Sequence, residues 1–281
     1  MIKFLNNHSD LQAQVSSWRL NGHRIGLVPT MGSLHYGHLS LFKIARKHCD
    51  KVVATIYVNP KQFSESEDFE SYPRHTDSDL EKLVKSNACD LVFKPTQMYN
   101  QTHATQIVSN GVALSLEADS RPHFFSGVSI IVLKLFNQIQ PDIAVFGEKD
   151  YQQLLVIKQL VRDLNIPIHV LSGKTWREKD GLAMSSRNVY LSESERQTAS
   201  NIYRVLKLTR GKIQQGKDVN EAIQDGIKEL ETAGISQIDY FSLRDPDNLT
   251  HLIHFQKEAR LLIALYVGTT RLLDNIAVPV I

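Results

Sequence analysis

Short apolar runs alternate with helix-period segments from the N-terminus onward, and this alternation constrains the fold more than any other feature of the sequence. Strands are predicted at Ile25–Val28, Val52–Val58, Asp90–Phe93, Ile143–Phe146 and Ile168–Leu171. Helices are predicted at 38–48, 77–87, 128–140 and 151–165. The strands lack polar alternation, which is typical of strands covered on both faces. The pattern therefore predicts an α/β domain with a parallel sheet over residues 1–174.

The pattern changes near residue 175. Helical stretches at 193–215 and 218–233 precede strands at Gln237–Leu243, Arg260–Tyr266 and Leu272–Val278. The segment Val267-Gly268-Thr269-Thr270-Arg271 joins the last two strands and has the composition of a hairpin turn. Residues 175–281 are therefore predicted to form a second, smaller α+β domain.

The composition excludes several classes of protein. A formal net charge of +2 gives no strongly basic surface for a nucleic acid or a membrane. No apolar run reaches the length of a membrane span, and the N-terminal residues lack a signal-peptide pattern. Cys49 and Cys89 do not form a CxxC pair and are expected to be buried thiols. We expect a cytoplasmic protein whose partners are small molecules, with no nucleic-acid partner and no membrane association.

Ligands of open parallel sheets bind beyond the carboxyl ends of the strands. The segment after the first predicted strand reads Pro29-Thr30-Met31-Gly32-Ser33-Leu34-His35-Tyr36-Gly37-His38. Backbone N–H groups at the start of the following helix attract phosphate, and two imidazoles can donate hydrogen bonds to it. A partial zinc site and a pair of surface histidines are the alternatives. The H-x-G-H spacing directly after a strand favours phosphate.

Three further segments follow predicted strands. Asn59-Pro60-Lys61-Gln62-Phe63 offers amides suited to a hydroxyl-bearing acid, or it is a plain polar loop. Gly147-Glu148-Lys149-Asp150, followed by Gln152 and Gln153, suits phosphate and ribose, or it is a solvated charge cluster. The run from Arg177 to Asn188 carries Ser185, Ser186 and Arg187, which suit an anion clamp on a mobile loop. The chain has no G-x-x-x-x-G-K-[ST] loop and no G-x-G-x-x-G, so P-loop and ordinary NAD-binding functions lose support.

Several of these motifs, in this order, resemble the pantothenate synthetase (pantoate–β-alanine ligase) family over nearly the whole chain. The matching motifs are Pro29-Thr30-Met31-Gly32, His35-x-Gly37-His38, Asn59-Pro60-x-Gln62-Phe63, Tyr72-Pro73-Arg74, Gly147-Glu148-Lys149-Asp150, Asp180-Gly181-Leu182-Ala183-Met184-Ser185-Ser186-Arg187-Asn188 and Arg271-Leu272-Leu273-Asp274-Asn275. The H-x-G-H element alone also occurs in other nucleotidyl transferases, including class I aminoacyl-tRNA synthetases.

The resemblance implies a Rossmann-type N-terminal domain, a smaller C-terminal lid domain and a homodimer that uses ATP, Mg²⁺, pantoate and β-alanine. It implies an ATP site made of Pro29, Thr30, Met31, Gly32, Ser33, Leu34, His35, Tyr36, Gly37, His38, Gly147, Glu148, Lys149, Asp150, Trp176, Met184, Ser185, Ser186 and Arg187. His38 is the expected acid. His35, Lys149, Ser185, Ser186 and Arg187 are expected to balance charge on the phosphates, and Gln62, Gln153 and Asn59 to bind pantoate. No residue is expected to hold a metal ion.

The implied reaction is adenylation of pantoate by ATP, followed by attack of β-alanine on the acyl adenylate. A cytidylyltransferase and a non-catalytic nucleotide sensor are the alternatives. The chain departs from the family pattern in two loops. His123 stands one position earlier than the family's histidine, where this chain has Phe124, and Gly173-Lys174-Thr175 replaces a valine-proline-threonine stretch. We expect Phe124 to pack and His123 to be an exposed loop residue without that histidine's role.

Overall fold

The computed structural model describes residues 2–65 and 67–280. The chain divides into two compact units. The first unit comprises Met1–Glu148 and Gln153–Lys174, and the second comprises Lys149–Gln152 and Thr175–Ile281. The short segment Lys149–Gln152 thus belongs with the C-terminal part of the chain.

The first unit is built on a parallel sheet, as predicted. Its strands are β1 (Lys3–Leu5), β2 (Ile25–Thr30), β3 (Lys51–Ile56), β4 (Leu91–Phe93), β5 (Ile143–Gly147) and β6 (His169–Gly173). The sheet order is β1-β4-β3-β2-β5-β6, and every pair is parallel. The helices are α1 (His8–Leu20), α2 (Tyr36–His48), α3 (Thr76–Ser86), α4 (Glu117–Ser120), α5 (Phe124–Ile139) and α6 (Tyr151–Asp163). The strand order reverses between β2 and β5, and such a switch point opens a crevice beyond the carboxyl ends of those two strands.

The central strands are buried on both faces. Ile25, Leu27 and Val28 of β2 are fully buried, which explains their continuous apolar run. Burial also raises the pKa of Cys49 to about 11 and that of Cys89 to about 12, so both remain protonated, free thiols as expected. In the part of the chain that the structure describes, no helix is long and apolar enough to cross a bilayer.

The second unit combines helices with an antiparallel sheet, which confirms the predicted α+β arrangement. Its helices are α7 (Glu193–Ala199), α8 (Asn201–Gln214) and α9 (Val219–Thr232). Its strands β7 (Ile238–Arg244), β8 (Ala259–Val267) and β9 (Thr270–Val278) pair in the order β7-β8-β9. The predicted hairpin joins β8 to β9, and Gly268 adopts the left-handed φ of +57° that its two-residue turn requires.

Two predictions of secondary structure need correction, and three elements were not predicted. The single helix predicted over 193–215 is two helices, α7 and α8, which are divided at Ser200. The Ser200 hydroxyl donates to the Gln197 carbonyl (2.7 Å), a kind of bond that often bends helices. The helix predicted at 128–140 begins at Phe124, one turn earlier. The elements β1, α1 and α4 were not predicted: β1 and α4 are three and four residues long, and α1 buries only Leu11 and Val15.

Candidate functional site

The segment after β2 forms a tight loop that leads into α2. The Thr30 hydroxyl donates to the Thr55 carbonyl (2.6 Å) and accepts from the Gly32 N–H (3.2 Å). Gly32 and Ser33 both have left-handed backbones, with φ of +88° and +49°. Glycine adopts this region freely, whereas serine does so at a cost. The turn places His35 at the N-cap of α2.

A buried carboxylate holds this loop. Asp79 of α3 is 1% exposed, and its two oxygens accept from the N–H groups of Ser33 (2.7 Å) and Leu34 (2.6 Å). Lys82, one turn further along α3, donates to the Leu34 carbonyl (2.8 Å). Backbone N–H groups of this segment were expected to attract phosphate, but these two are engaged by Asp79. The first-turn N–H groups of α2, Gly37 among them, are the ones that helix geometry leaves without an intrahelical acceptor.

The two histidines of the H-x-G-H element lie side by side. The ring centroids of His35 and His38 are 4.0 Å apart, and both residues are half-buried. Nδ1 of His38 accepts from the His35 backbone N–H at 3.3 Å. In the neutral imidazole the proton then resides on Nε2, because the other nitrogen is an acceptor. Neutral His38 therefore has Nε2–H as its hydrogen-bond donor, the kind of group that can stabilise charge on a phosphate oxygen.

The turn after β3 is built around Asn59. This residue is 1% exposed, and its amide nitrogen donates to the Gln62 side-chain oxygen (3.1 Å) and to the Gly127 carbonyl (2.9 Å). Its amide oxygen accepts from the Tyr99 hydroxyl (2.8 Å), and burial raises the pKa of Tyr99 so that it stays protonated. A Cβ on Gly127 would lie 2.1 Å from the Lys61 carbonyl, so only glycine lets α5 pack here. The geometry favours Asn59 as the residue that orients Gln62, and its direct contact with substrate stays a prediction.

Gln62 is held so that its amide nitrogen faces a weak acceptor. The residue is 8% exposed, and Nε2 lies 3.1 Å from the Met31 sulfur. A thioether accepts hydrogen bonds poorly, so a carboxylate or hydroxyl oxygen of a ligand would replace it favourably. Arg121 donates to the backbone carbonyl of Gln62 (3.1 Å) and forms an ion pair with Glu67 (2.6 Å). These two contacts hold the backbone of the turn. Gln62 therefore offers an amide donor that a ligand oxygen could take, and its contact with substrate stays a prediction.

The displaced histidine lies in the turn before α5. His123 occupies the N-cap position without a side-chain capping hydrogen bond, and its side chain is 38% exposed, with Nε2 3.7 Å from the Glu67 carboxylate. That it lacks the role of the family's histidine stays a prediction. Phe124 is buried, as expected, and its ring lies 3.8 Å from the Arg121 guanidinium.

The segment after β5 divides between the two units. Gly147 and Glu148 belong to the first unit, where Glu148 accepts from the Ser172 hydroxyl (2.9 Å). Lys149 belongs to the second unit, where its carbonyl accepts from the Asn275 amide (2.8 Å). The Lys149 side chain is 20% exposed, and its ammonium lies 3.6 Å from the Asp150 carboxylate. Gln153, back in the first unit, is half-buried in the first turn of α6.

In the second unit, residues 175–188 form a hairpin-like loop. Arg177 pairs with Ala183 across the loop, and its guanidinium binds both oxygens of Asp274 (2.6 and 2.9 Å). Trp176 is exposed and Ser186 is buried. The remaining predicted residues, Met184, Ser185 and Arg187, are half-buried. The loop thus has a fixed base and a partly exposed run of polar side chains.

A cavity of about 310 Å³ lies beside Met31 and Gly32 in the first unit. Its walls are Met31, Gly32, Ile56, Tyr57, Val58, Pro60, Phe69, Arg74, His75, Thr76, Asp79, Lys94 and Pro95. The predicted site residues His35, His38 and Gln62 do not line this cavity. Across the described residues, no three His, Cys, Asp or Glu side chains are grouped so that they could hold a metal ion.

Comparisons with known proteins identify the family. The family model of pantoate–β-alanine ligase matches residues 3–277. The chain belongs to the pantoate–β-alanine ligase family. It is 44% identical over 275 residues to a pantothenate synthetase of Caulobacter vibrioides, covering 96% of each chain. It is 47% identical over 273 residues to one of Rhodospirillum rubrum, again covering 96% of each.

Solved structures agree with this assignment and confirm the fold class. The pantothenate synthetase of Thermus thermophilus superposes with a TM-score of 0.93 at 39% identity, covering 99% of this chain and 100% of that one. A pantoate–β-alanine ligase of Francisella tularensis, solved with β,γ-ATP and β-alanine, gives 0.84 at 31% identity, covering 98% and 97%. The enzyme is thus a ligase that joins pantoate to β-alanine to make pantothenate.

Sequence reasoning missed the residues that position the predicted ones. Asp79 lies four residues before the fully buried Leu83, so a charged residue occupies the buried face of α3. That placement is a readable signal, because an unpaired carboxylate is rarely buried. Asp274 was noted only as part of a family motif, and its bonds to Arg177, 97 residues away in sequence, have no local signature.

Proposed function

We propose that this ligase is ATP-dependent and works through a pantoyl adenylate. A carboxylate oxygen of pantoate attacks the α-phosphorus of ATP, and the bond from that phosphorus to the β-phosphate oxygen breaks to release pyrophosphate. The amine of β-alanine then attacks the acyl carbon, the bond to AMP breaks, and the amine loses a proton. Adenylation is needed because a carboxylate is a poor acylating group.

The observation that carries this proposal is the oriented His38 beside His35 at the start of α2, at the switch point of the sheet. His38 would donate a hydrogen bond from Nε2 to a phosphate oxygen as negative charge builds on the departing pyrophosphate. Gln62, whose amide nitrogen faces the Met31 sulfur, would bind pantoate together with Gln153. These groups supply positioning and electrostatic stabilisation.

The ATP contacts predicted in the second unit become proposals as well. Lys149, Ser185, Ser186 and Arg187 would balance phosphate charge, and Trp176 would contact adenine. Support for the use of ATP comes from the F. tularensis ligase, which was solved with β,γ-ATP and β-alanine. The homodimer implied by the family stays a prediction.

The described residues do not provide a cage for Mg²⁺. Magnesium in nucleotide sites is held mainly by phosphates and water, with one or two carboxylates. We therefore propose Mg²⁺ only as the ion that accompanies ATP and neutralises its charge, and we assign it no protein ligand.

The reaction is tested by product analysis with ATP-Mg²⁺ and pantoate in the absence of β-alanine. Pyrophosphate should appear as a burst of about one equivalent per site and then stall, because the adenylate has no acceptor. Adding β-alanine should release AMP and pantothenate. ADP as the nucleotide product would contradict the proposal.

A further inference from the structure

Asp79 is a buried carboxylate that contacts the loop leading into the H-x-G-H element. Its side chain is 1% exposed, and each oxygen accepts one backbone N–H, from Ser33 at 2.7 Å and from Leu34 at 2.6 Å. Hydrogen bonds to an ionised acceptor are roughly twice as strong as neutral ones. Two such bonds connect the loop after β2 to α3, and the residues that they join are 46 and 45 positions apart in the sequence.

The loop needs this support because its backbone is strained. Ser33 has φ of +49° without being glycine, and Gly32 before it has φ of +88°. A left-handed residue other than glycine costs on the order of 1 kcal/mol. An added Cβ on Gly32 would lie 3.1 Å from an Asp79 oxygen, so the carboxylate also fits closely against the turn. His35 follows only two residues after Ser33, so any relaxation of the turn shifts the start of α2.

We propose that Asp79 is a positioning residue for adenylation: its carboxylate takes the place of an external anion at the Ser33 and Leu34 amides and so sets His35 and His38 in their reactive geometry. The inference rests on the proposed function of the two histidines. Lys82 assists from the same helix by donating to the Leu34 carbonyl.

Direct contact with a substrate amine is the competing explanation, because Asp79 also lines the 310 Å³ cavity. β-Alanine carries such an amine. Both Asp79 oxygens already accept short hydrogen bonds, however, and its side chain is almost wholly buried. The two explanations differ in the adenylation half-reaction, which takes place without β-alanine.

The experiment measures pantoate-dependent exchange of labelled pyrophosphate into ATP, in the full-length protein without β-alanine. Asp79→Asn keeps the shape of the side chain but replaces one oxygen by an NH₂ donor. One of the two loop N–H groups then loses its acceptor. Asp77→Asn, at an exposed position of the same helix, is the matched control. Lys82→Met removes the bond to the Leu34 carbonyl and the ammonium 3.9 Å from the Asp79 carboxylate. The Lys82 side chain is 41% exposed, so this variant remains informative if Asp79→Asn does not fold. Deuterium uptake of peptides over residues 31–38 and over β5 and β6 reports whether the loop alone has loosened.

Asp79→Asn should lower the maximal exchange rate by roughly 10²-fold, the usual cost of a misplacement of about 1 Å, with a smaller change in the KM for pantoate. Lys82→Met should lower it by roughly 3- to 10-fold, in line with one hydrogen bond. Asp77→Asn should match wild type. Deuterium uptake in Asp79→Asn should rise at residues 31–38 and stay unchanged in β5 and β6.

Normal exchange by Asp79→Asn with a raised KM for β-alanine would overturn the inference in favour of an amine contact. A rise in deuterium uptake throughout the first unit, with activity falling only as the folded fraction falls, would reduce Asp79 to a structural role and also overturn it. Failure of the proposed function looks different, because the wild-type protein would then show no pantoate-dependent exchange. In that case pantothenate formation and loop uptake in the same variants still decide the role of Asp79.

Discussion

The two loops that carry most of the predicted site residues are fixed in opposite ways. The loop over Met31–His38 is held by its own backbone, through two N–H groups that donate to the buried Asp79. The loop over residues 175–188 is held by hydrogen bonds within itself, among them Met184 N–H to the Trp176 carbonyl (2.9 Å), and by the pair of Arg177 with Asp274 at its base. The first loop is therefore tied to a neighbouring helix, whereas the second is a self-contained hairpin-like loop in which Trp176 is 43% exposed. The first arrangement suits a donor that must keep its position, and the second suits a partly exposed surface that receives a ligand.

The largest effect on activity should come from a substitution in the loop over Met31–His38. His38→Ala should lower kcat by roughly 10²- to 10⁴-fold, because it removes the oriented donor at the start of α2. Steady-state kinetics measures this. His48→Ala, at the exposed C-terminal end of the same helix, is the control and should leave kcat near wild type. A loss below about tenfold for His38→Ala would demote His38 to a positional role.

Removing the ion pair at the base of the loop over residues 175–188 should lower the stability of the protein. Asp274→Ala leaves the Arg177 guanidinium, whose side chain is 16% exposed, without its carboxylate and should lower the free energy of unfolding by about 3–5 kcal/mol. Glu229→Ala breaks an exposed pair with Arg204 in the same unit and should cost about 0–1 kcal/mol. Denaturant titration compares the two. Equal costs would mean that the loop base is held by something other than the ion pair.

Substitutions of the polar side chains in the second unit should change the KM for ATP rather than the free energy of unfolding. If Lys149 and Arg187 bind phosphate as proposed, Lys149→Ala and Arg187→Ala should each raise the KM for ATP by roughly 10- to 100-fold, the worth of one charge-assisted hydrogen bond. Lys179→Ala, an exposed lysine of the same loop, is the control. Unchanged ATP kinetics in both variants would indicate that the two charges are merely solvated.

The smallest effect is expected at the displaced histidine. His123 lies near Glu67, which is already paired with Arg121, so His123→Ala should lower kcat/KM by less than tenfold, or roughly 1.4 kcal/mol. The measurement is a direct comparison with His38→Ala. Similar losses in the two variants would show that His123 reaches the reacting groups.

The sequence allowed the parallel sheet, the α+β region and the candidate loops to be predicted, because buried strands and strand-end motifs leave local patterns. Ile25–Val28 is continuously apolar since both of its faces are covered. The supporting contacts were not predictable in the same way. Asp79 meets Ser33 and Leu34, 46 and 45 residues away in sequence, only once the fold has formed, and the division between α7 and α8 at Ser200 lies within a continuous helical pattern.

The role of Asn59 shows the same limit within a motif. An amide after a strand suggests a ligand contact, and only the packing of Gly127 against the turn shows that its donors are used inside the protein. The sequence pointed to this segment, and the structure shows that Asn59 is engaged with Gln62 and Gly127, while substrate contact by either amide stays a prediction.

The central claim, that pantoate is activated as an adenylate, is tested most directly by an oxygen-transfer measurement. The enzyme is given ATP, β-alanine and pantoate labelled with ¹⁸O at both carboxylate oxygens, and the AMP and pantothenate are analysed by mass spectrometry. Attack of the carboxylate on the α-phosphorus predicts that each AMP gains one ¹⁸O and each pantothenate keeps one in its amide carbonyl. Unlabelled AMP, or ¹⁸O in inorganic phosphate accompanied by ADP, would contradict the account.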